Sequence, residues 1–227
     1  MLDEPDHAGQ ENLDSKHVNQ YDLKEDAHAG EEVKLLETLG LREQSSVIDF
    51  GAGTGQFTMV VAPKCARVIA VDISQVMLNI LEAKVKKSKL ANIEIVRSGF
   101  LTYDHTGQPV DFVYSRFALH HLPDFWKVLA LERIRSMIRK GGVFRLWDVV
   151  YSFEPQESEN RLEAWCSTLN NHKGNGWIRS DIEDHIRDEH STYAWLLEPM
   201  IQRCGFTIEQ TEYSADSIFA KYVIRAI

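Results

Sequence analysis

The stretch Val47-Ile-Asp-Phe-Gly-Ala-Gly-Thr-Gly-Gln-Phe57 constrains this chain more than any other. A short apolar run carrying one carboxylate, Asp49, breaks into Gly51, Gly53 and Gly55, with single small residues between them. Apolar residues resume at Phe57, Met59, Val60 and Val61, ahead of Pro63. That pattern predicts a strand, a tight turn and a helix. Glycine serves where the backbone takes dihedrals closed to other residues, or where a ligand comes close to it. The free N–H groups that open the next helix then face that ligand.

Spacing narrows the choice of ligand. A dinucleotide fingerprint reads G-x-G-x-x-G, and here Gln56 stands where its third glycine belongs. An anionic Asp49 suits a cationic ligand and repels a pyrophosphate. The run 66–72 predicts a second buried strand ending at Asp72. That position, about 20 residues after the first glycine, is where doubly wound folds put the acid that binds the ribose. One carboxylate accepts two hydrogen bonds from a vicinal diol, and charge-assisted bonds are the strong kind.

The remaining pattern is α/β, with a mostly parallel sheet and helices on both faces. At 227 residues and 44% hydrophobic content, the chain suits one domain with an insertion. Four segments are expected: a flexible N-terminal piece over 1–25, a core over 26–151, a helical insertion over 152–198 and a C-terminal hairpin over 199–227. A net charge of −9 argues against a nucleic-acid surface. Cys65, Cys166 and Cys204 are odd in number and lack metal-ligand spacing, which predicts free thiols in a cytoplasmic protein. No apolar run reaches the length of a membrane span, and the acidic N-terminus is unlike a signal peptide.

Within the core, Ser74 is expected to cap a helix whose basic run, Lys84 to Lys89, complements the helix dipole. Further strands are expected over 93–98, 110–114 and 143–150, with a helix over 124–139 before the last. His120 and His121 are adjacent, and successive helical positions differ by about 100° in direction, so only one can face a pocket. His120 is the expected pocket residue and His121 a packing residue. Strand alternation puts Arg145 and Trp147 on one face, against Asp148. The insertion holds Trp165, Trp177, Tyr193 and Trp195, either as a lid over an organic substrate or as a small core. Its His185, Asp188, Glu189 and His190 match no recognised ligand spacing, so no metal is expected.

The loop D-x-G-x-G-x-G, with Asp49, Gly51, Gly53 and Gly55, resembles motif I of the class I S-adenosylmethionine-dependent methyltransferases. The run Ser115-Arg-Phe-Ala-Leu-His-His-Leu-Pro-Asp124 resembles the fourth-strand motif of small-molecule methyltransferases of the UbiE group. The resemblance covers roughly residues 28–150 and 195–227. It implies a Rossmann-like sheet of seven strands in the order 3-2-1-4-5-7-6, with the last strand antiparallel. It implies S-adenosyl-L-methionine as cofactor, leaving as S-adenosyl-L-homocysteine. Cofactor contacts are then expected from Asp49, Gly51, Ala52, Gly53, Gln56, Asp72, Ile73 and Met77. Ser115, Arg116 and Phe117 are expected beneath the methionine portion.

The turn Gly99-Phe100-Leu101 would meet the adenine, with glycine where relatives often carry Asp. The Phe100 N–H and the Phe100 or Leu101 side chain remain as contacts. Tyr21 is expected either on a flap over the cofactor or packed on the first helix. Metal-dependent relatives carry an acid after strand four and an Asp-Asn pair after strand five, and neither is present here. The Asn/Asp-Pro-Pro-Tyr/Phe and Pro-Cys signatures of DNA-base enzymes are also missing. The expected activity is methyl transfer to a small organic acceptor in a monomer or homodimer. His120 is the expected base, with Trp147, Trp177 and Tyr193 around the acceptor. Methylation of a protein or tRNA, a non-catalytic cofactor-binding role, and a nicotinamide dehydrogenase are the alternatives.

Overall fold

The computed structural model describes residues 2–5, 27–168 and 178–227, so the expectations for Tyr21 and Trp177 lie outside the described residues. Strand β1 (Ser46–Phe50) and strand β2 (Arg67–Asp72) are apolar on both faces, as strands covered by helices on each side must be. Val68, Ile69, Ala70 and Val71 are all fully buried. Beside them run β3 (Ile93–Arg97), β4 (Val110–Arg116) and β5 (Ile138–Tyr151). β6 (Thr192–Tyr193) is a two-residue strand, and β7 (Phe206–Tyr213) and β8 (Phe219–Ala226) close the chain. The order is β3-β2-β1-β4-β5-β8-β7, with β6 paired to β5 off this path.

Leaving β6 aside, this is the expected 3-2-1-4-5-7-6 arrangement. β1 to β5 are parallel, and β8 is antiparallel to both β5 and β7. The eighth strand was not expected. It arises because β5 extends past its neighbours, leaving Val150 and Tyr151 to pair with Thr192 and Tyr193. β5 also starts earlier than predicted. Helix α4 (Asp124–Met137) gives way to strand at Ile138, which pairs with Val110 before the glycines.

The other helices are α1 (Ala29–Thr38), α2 (Gln56–Val61), α3 (Gln75–Lys87), α5 (Ser158–Thr168), α6 (Arg179–Asp188) and α7 (Ala194–Arg203). The boundary expected at 198/199 falls inside α7, because Leu197 and Ile201 both lie in the main core as one apolar stripe. Ser74 caps α3, its hydroxyl accepting from Met77 N at 3.2 Å. Lys84, expected as part of a solvated basic face, instead donates to the Thr54 carbonyl at 2.9 Å. The three cysteines are free and buried. No helix among the described residues is long and apolar enough to cross a membrane.

Helix α1 is fastened under the sheet by a buried ion pair. Arg145 on β5 makes two parallel bonds to Glu32, of 2.7 and 2.8 Å, and both side chains are nearly inaccessible. A bidentate guanidinium–carboxylate pair is the arrangement that best offsets the cost of burying two charges. Removing one partner leaves the other charged and unpaired. Arg145→Met should therefore lower stability by about 3–5 kcal/mol. The double variant Arg145→Met/Glu32→Leu should regain most of that loss in urea denaturation, and an equal loss in both would show that packing, not charge, is at stake.

Candidate functional site

The glycine turn is stitched to the end of β2. Gly51 N and Ala52 N donate to the Val71 carbonyl at 2.9 and 3.1 Å. Gly53 N donates to Asp72 Oδ2 at 2.7 Å, and Ser74 N donates to Oδ1 at 2.7 Å. Gly51 has φ +71, and a Cβ there would lie 2.4 Å from Ala118 Cβ. Only glycine lets the turn pass that close to the segment after β4.

Between this turn and residues 116–122 runs a cleft enclosing about 680 Å³, its open mouth included. A volume in this range suits a nucleoside-sized ligand. Of the expected cofactor contacts, Gly51, Gly53, Asp72, Ile73 and Met77 line it on one side. Gly99, Phe100, Arg116 and Phe117 line it on the others. Burial raises the Asp72 pKa, while the Ser74 and Gly53 N–H groups pull it down. Each carboxylate oxygen keeps a lone pair beyond those two bonds, which is what a ribose diol requires. Phe117 has φ +50, a left-handed conformation that costs a bulky residue energy. Its N–H is held by the Trp147 carbonyl at 2.9 Å.

Other expected contacts stand behind the cleft. Asp49 is buried beneath the turn, accepting from Thr58 Oγ1 at 2.5 Å, and burial raises its pKa to about 7. It holds the helix that follows the loop, through Thr58, and does not line the cleft. Ala52 packs on Leu78 and Leu81. Gln56 accepts from Ala27 N at 2.9 Å, fastening the entry to α1. Ser115 is fully buried between Phe50 and Leu146 in the sheet and does not line the cleft. The Leu101 side chain is core, although its N–H reaches the cleft's end.

That N–H is taken by a residue with no sequence signal. Glu4 Oε2 accepts from Leu101 N at 3.0 Å and from Thr102 Oγ1 at 3.1 Å. A Cβ on Gly99 would lie 2.3 Å from Glu4 Oε1, so the glycine makes room for this carboxylate. Glu4 is 97 positions from Leu101 in sequence, too far for any local pattern to connect them.

On the acceptor side the two histidines exchange their expected roles. His121 lines the cleft, whereas His120 is buried behind it. The turn Leu119–His121 is held by Asp148, whose Oδ2 accepts from Leu119 N and His120 N at 2.9 and 3.2 Å. Asp148 Oδ1 takes the His120 Nδ1–H, and His120 Nε2 lies 2.9 Å from Glu189 Oε2. Burial works against a charge on His120, but the two carboxylates outweigh it and push its pKa up. A histidine held protonated behind the wall is no general base for a ligand in the cleft. Burial and the neighbouring His120 charge hold His121 neutral by lowering its pKa.

Trp147 packs edge-on against Phe117 of the cleft wall, with the Arg116 guanidinium 4.7 Å and the Lys221 ammonium 4.0 Å from its ring. Tyr193, expected beside the acceptor, instead packs α5 onto β5. Its hydroxyl hydrogen-bonds Ser158 Oγ at 2.7 Å, and its ring meets Tyr151 and Phe153.

The comparisons agree with this geometry. Residues 47–142 match the model of a methyltransferase domain family. A protein of Anoxybacillus flavithermus described as an uncharacterized methyltransferase is 28% identical over 177 residues, 78% of this chain and 76% of that one. An S-adenosylmethionine-dependent methyltransferase from Clostridium acetobutylicum superposes with TM-score 0.68 at 13% identity, covering 89% of this chain and 92% of that one. One from Aquifex aeolicus superposes with TM-score 0.64 at 17% identity, covering 94% and 100%. With the glycine turn, Asp72 and the sheet order in place, residues 47–142 form a methyltransferase domain and the chain has the fold of the S-adenosylmethionine-dependent methyltransferases.

Proposed function

We propose that the chain methylates a small organic acceptor seated at the carboxyl ends of β4 and β5, beside Arg116, Phe117 and Trp147. The observation that carries this reading is the packing of the insertion over the end of β5, in a cluster that Phe117 joins to the cleft. Leu162, Trp165 and Tyr193 of the insertion pack against Val149, Tyr151, Phe153 and Ile218. The chain thus covers its own acceptor side, which suits a molecule small enough to be enclosed better than a folded macromolecule. When bound, S-adenosylmethionine supplies an activated methyl on its sulfonium. Asp72 holds the ribose, Gly51 and Gly53 let the backbone approach, and Phe100 stacked on Phe50 at 4.9 Å walls the base. His121, neutral and facing the cleft, orients the acceptor by hydrogen bonding. The rate then rests on alignment and exclusion of water, not on a protein base.

Methyl-labelled cofactor incubated with the protein and a fractionated cell extract tests the reading. Label should pass to molecules below about 1 kDa, the size that a pocket in this range encloses. Label confined to the protein or tRNA fractions would overturn it.

Cofactor binding gives two sharper expectations. Asp72→Ala should weaken S-adenosylhomocysteine binding by about 2–4 kcal/mol in calorimetry, since two charge-assisted bonds are lost. A loss under about tenfold, 1.4 kcal/mol, would remove Asp72 as the ribose ligand. Glu4 lines the cleft beside Gly99 and Phe100, where the adenine is expected, so tail and base compete. Glu4→Ala should therefore tighten S-adenosylhomocysteine binding by severalfold, and weaker binding would instead make Glu4 a ligand of the base.

A further inference from the structure

Behind the cofactor cleft, four ionisable side chains meet in a nearly closed space that methyl transfer does not use. His120 Nε2, His185 Nδ1 and a Glu189 carboxylate oxygen all lie within 4.8 Å of one another. Their side chains are only 6%, 14% and 12% exposed. The fourth, Asp148, faces the opposite nitrogen of His120.

Each imidazole is oriented from its far side. Asp148 can only accept, so it fixes a proton on His120 Nδ1 and leaves Nε2 facing Glu189, where the second proton of the metal-free imidazole is the one an ion would displace. His185 is held the same way, with Nε2 2.8 Å from Ser191 Oγ and Nδ1 against Glu189 Oε2. A carboxylate or hydroxyl fixing the outer nitrogen is the arrangement that aims a histidine at a metal. His185 and Glu189 are four positions apart at the end of α6, so they share a face and reach the same point.

The centre of the cluster lacks ordinary hydrogen bonds. Glu189 Oε2 touches two imidazole nitrogens and has His121 Nδ1 at 3.9 Å. Yet Glu189 Oε2 and His121 Nδ1 are both buried without a hydrogen bond of acceptable geometry. Two enclosed carboxylates among neutral imidazoles would leave two uncompensated negative charges, which burial penalises heavily. The balance is restored by protons on the imidazoles, or by one divalent cation in their place.

We propose that His120, His185 and Glu189 form a site for one zinc-class divalent transition metal, with Asp148 and Ser191 positioning the two histidines. Two imidazoles and one carboxylate are a donor set used by zinc, whereas magnesium and calcium require mostly oxygen. The ion would tie α6 of the insertion to the turn that carries His121, and so fix one wall of the cleft. The site stands independently of the acceptor assigned above.

The full chain, stripped with a chelator, reloaded with a zinc salt and dialysed, should retain about one ion per chain, the number one three-ligand site holds. Cobalt loading should give the visible bands of a four- or five-coordinate nitrogen–oxygen site. Glu189→Gln and His185→Gln, checked by circular dichroism, should each weaken zinc at least tenfold in competition with a chromogenic chelator. An unmutated chain that retains no zinc and gives no cobalt bands would overturn the proposal. So would zinc retention unchanged in both folded variants. Should a variant fail to fold, the cobalt spectrum of the unmutated chain decides.

Discussion

The rest of the site depends on the stitching of the glycine turn to the end of β2. Val71 O takes the N–H groups of Gly51 and Ala52, and Asp72 takes that of Gly53. Backbone donors that would otherwise be loose are thereby fixed, at no cost to a ligand that arrives later. Asp49, buried behind the turn, and Lys84, bonded to the Thr54 carbonyl, brace it from two further directions. The turn also lies between β2 and β4, on either side of β1, where the sheet's order reverses. An open α/β sheet has its natural ligand crevice at that reversal.

β5 carries the second organising constraint, because its side chains alternate between two buried ionic clusters. Arg145 points to one face and binds Glu32, drawing α1 onto the sheet. Asp148, on the opposite face, fixes the backbone of residues 119–120 and the ring of His120. Through His120 and Glu189 the same carboxylate reaches α6 in the insertion. One strand therefore couples the entry helix, the cleft wall and the covering segment. A buried charge tolerates little displacement of its partner, so the three parts hold their mutual positions more tightly than apolar contact alone would.

The sequence by itself determined the cofactor half of the protein. Glycine at 51 and 53, the acid at 72 and the apolar runs around them are local signals, and backbone geometry translates them directly into strand, turn and helix. The C-terminal hairpin was legible for the same reason, since period and spacing survive without knowledge of contacts, whereas the sheet order was implied by the family resemblance. Contacts across the chain were decided only by the tertiary structure. Whether His120 or His121 meets the cleft depends on which one Asp148 captures, 28 positions away. Asp49 and Ser115 sit in cofactor motifs yet are both buried in the sheet and absent from the cleft lining, on opposite faces of the strands that carry them. Tyr193 is committed to packing by β6, a pairing that exists only because β5 outruns its neighbours. Glu4 has no local signature, and in the His120–His185–Glu189 cluster only the His185–Glu189 pair is local, since folding alone brings His120 to it.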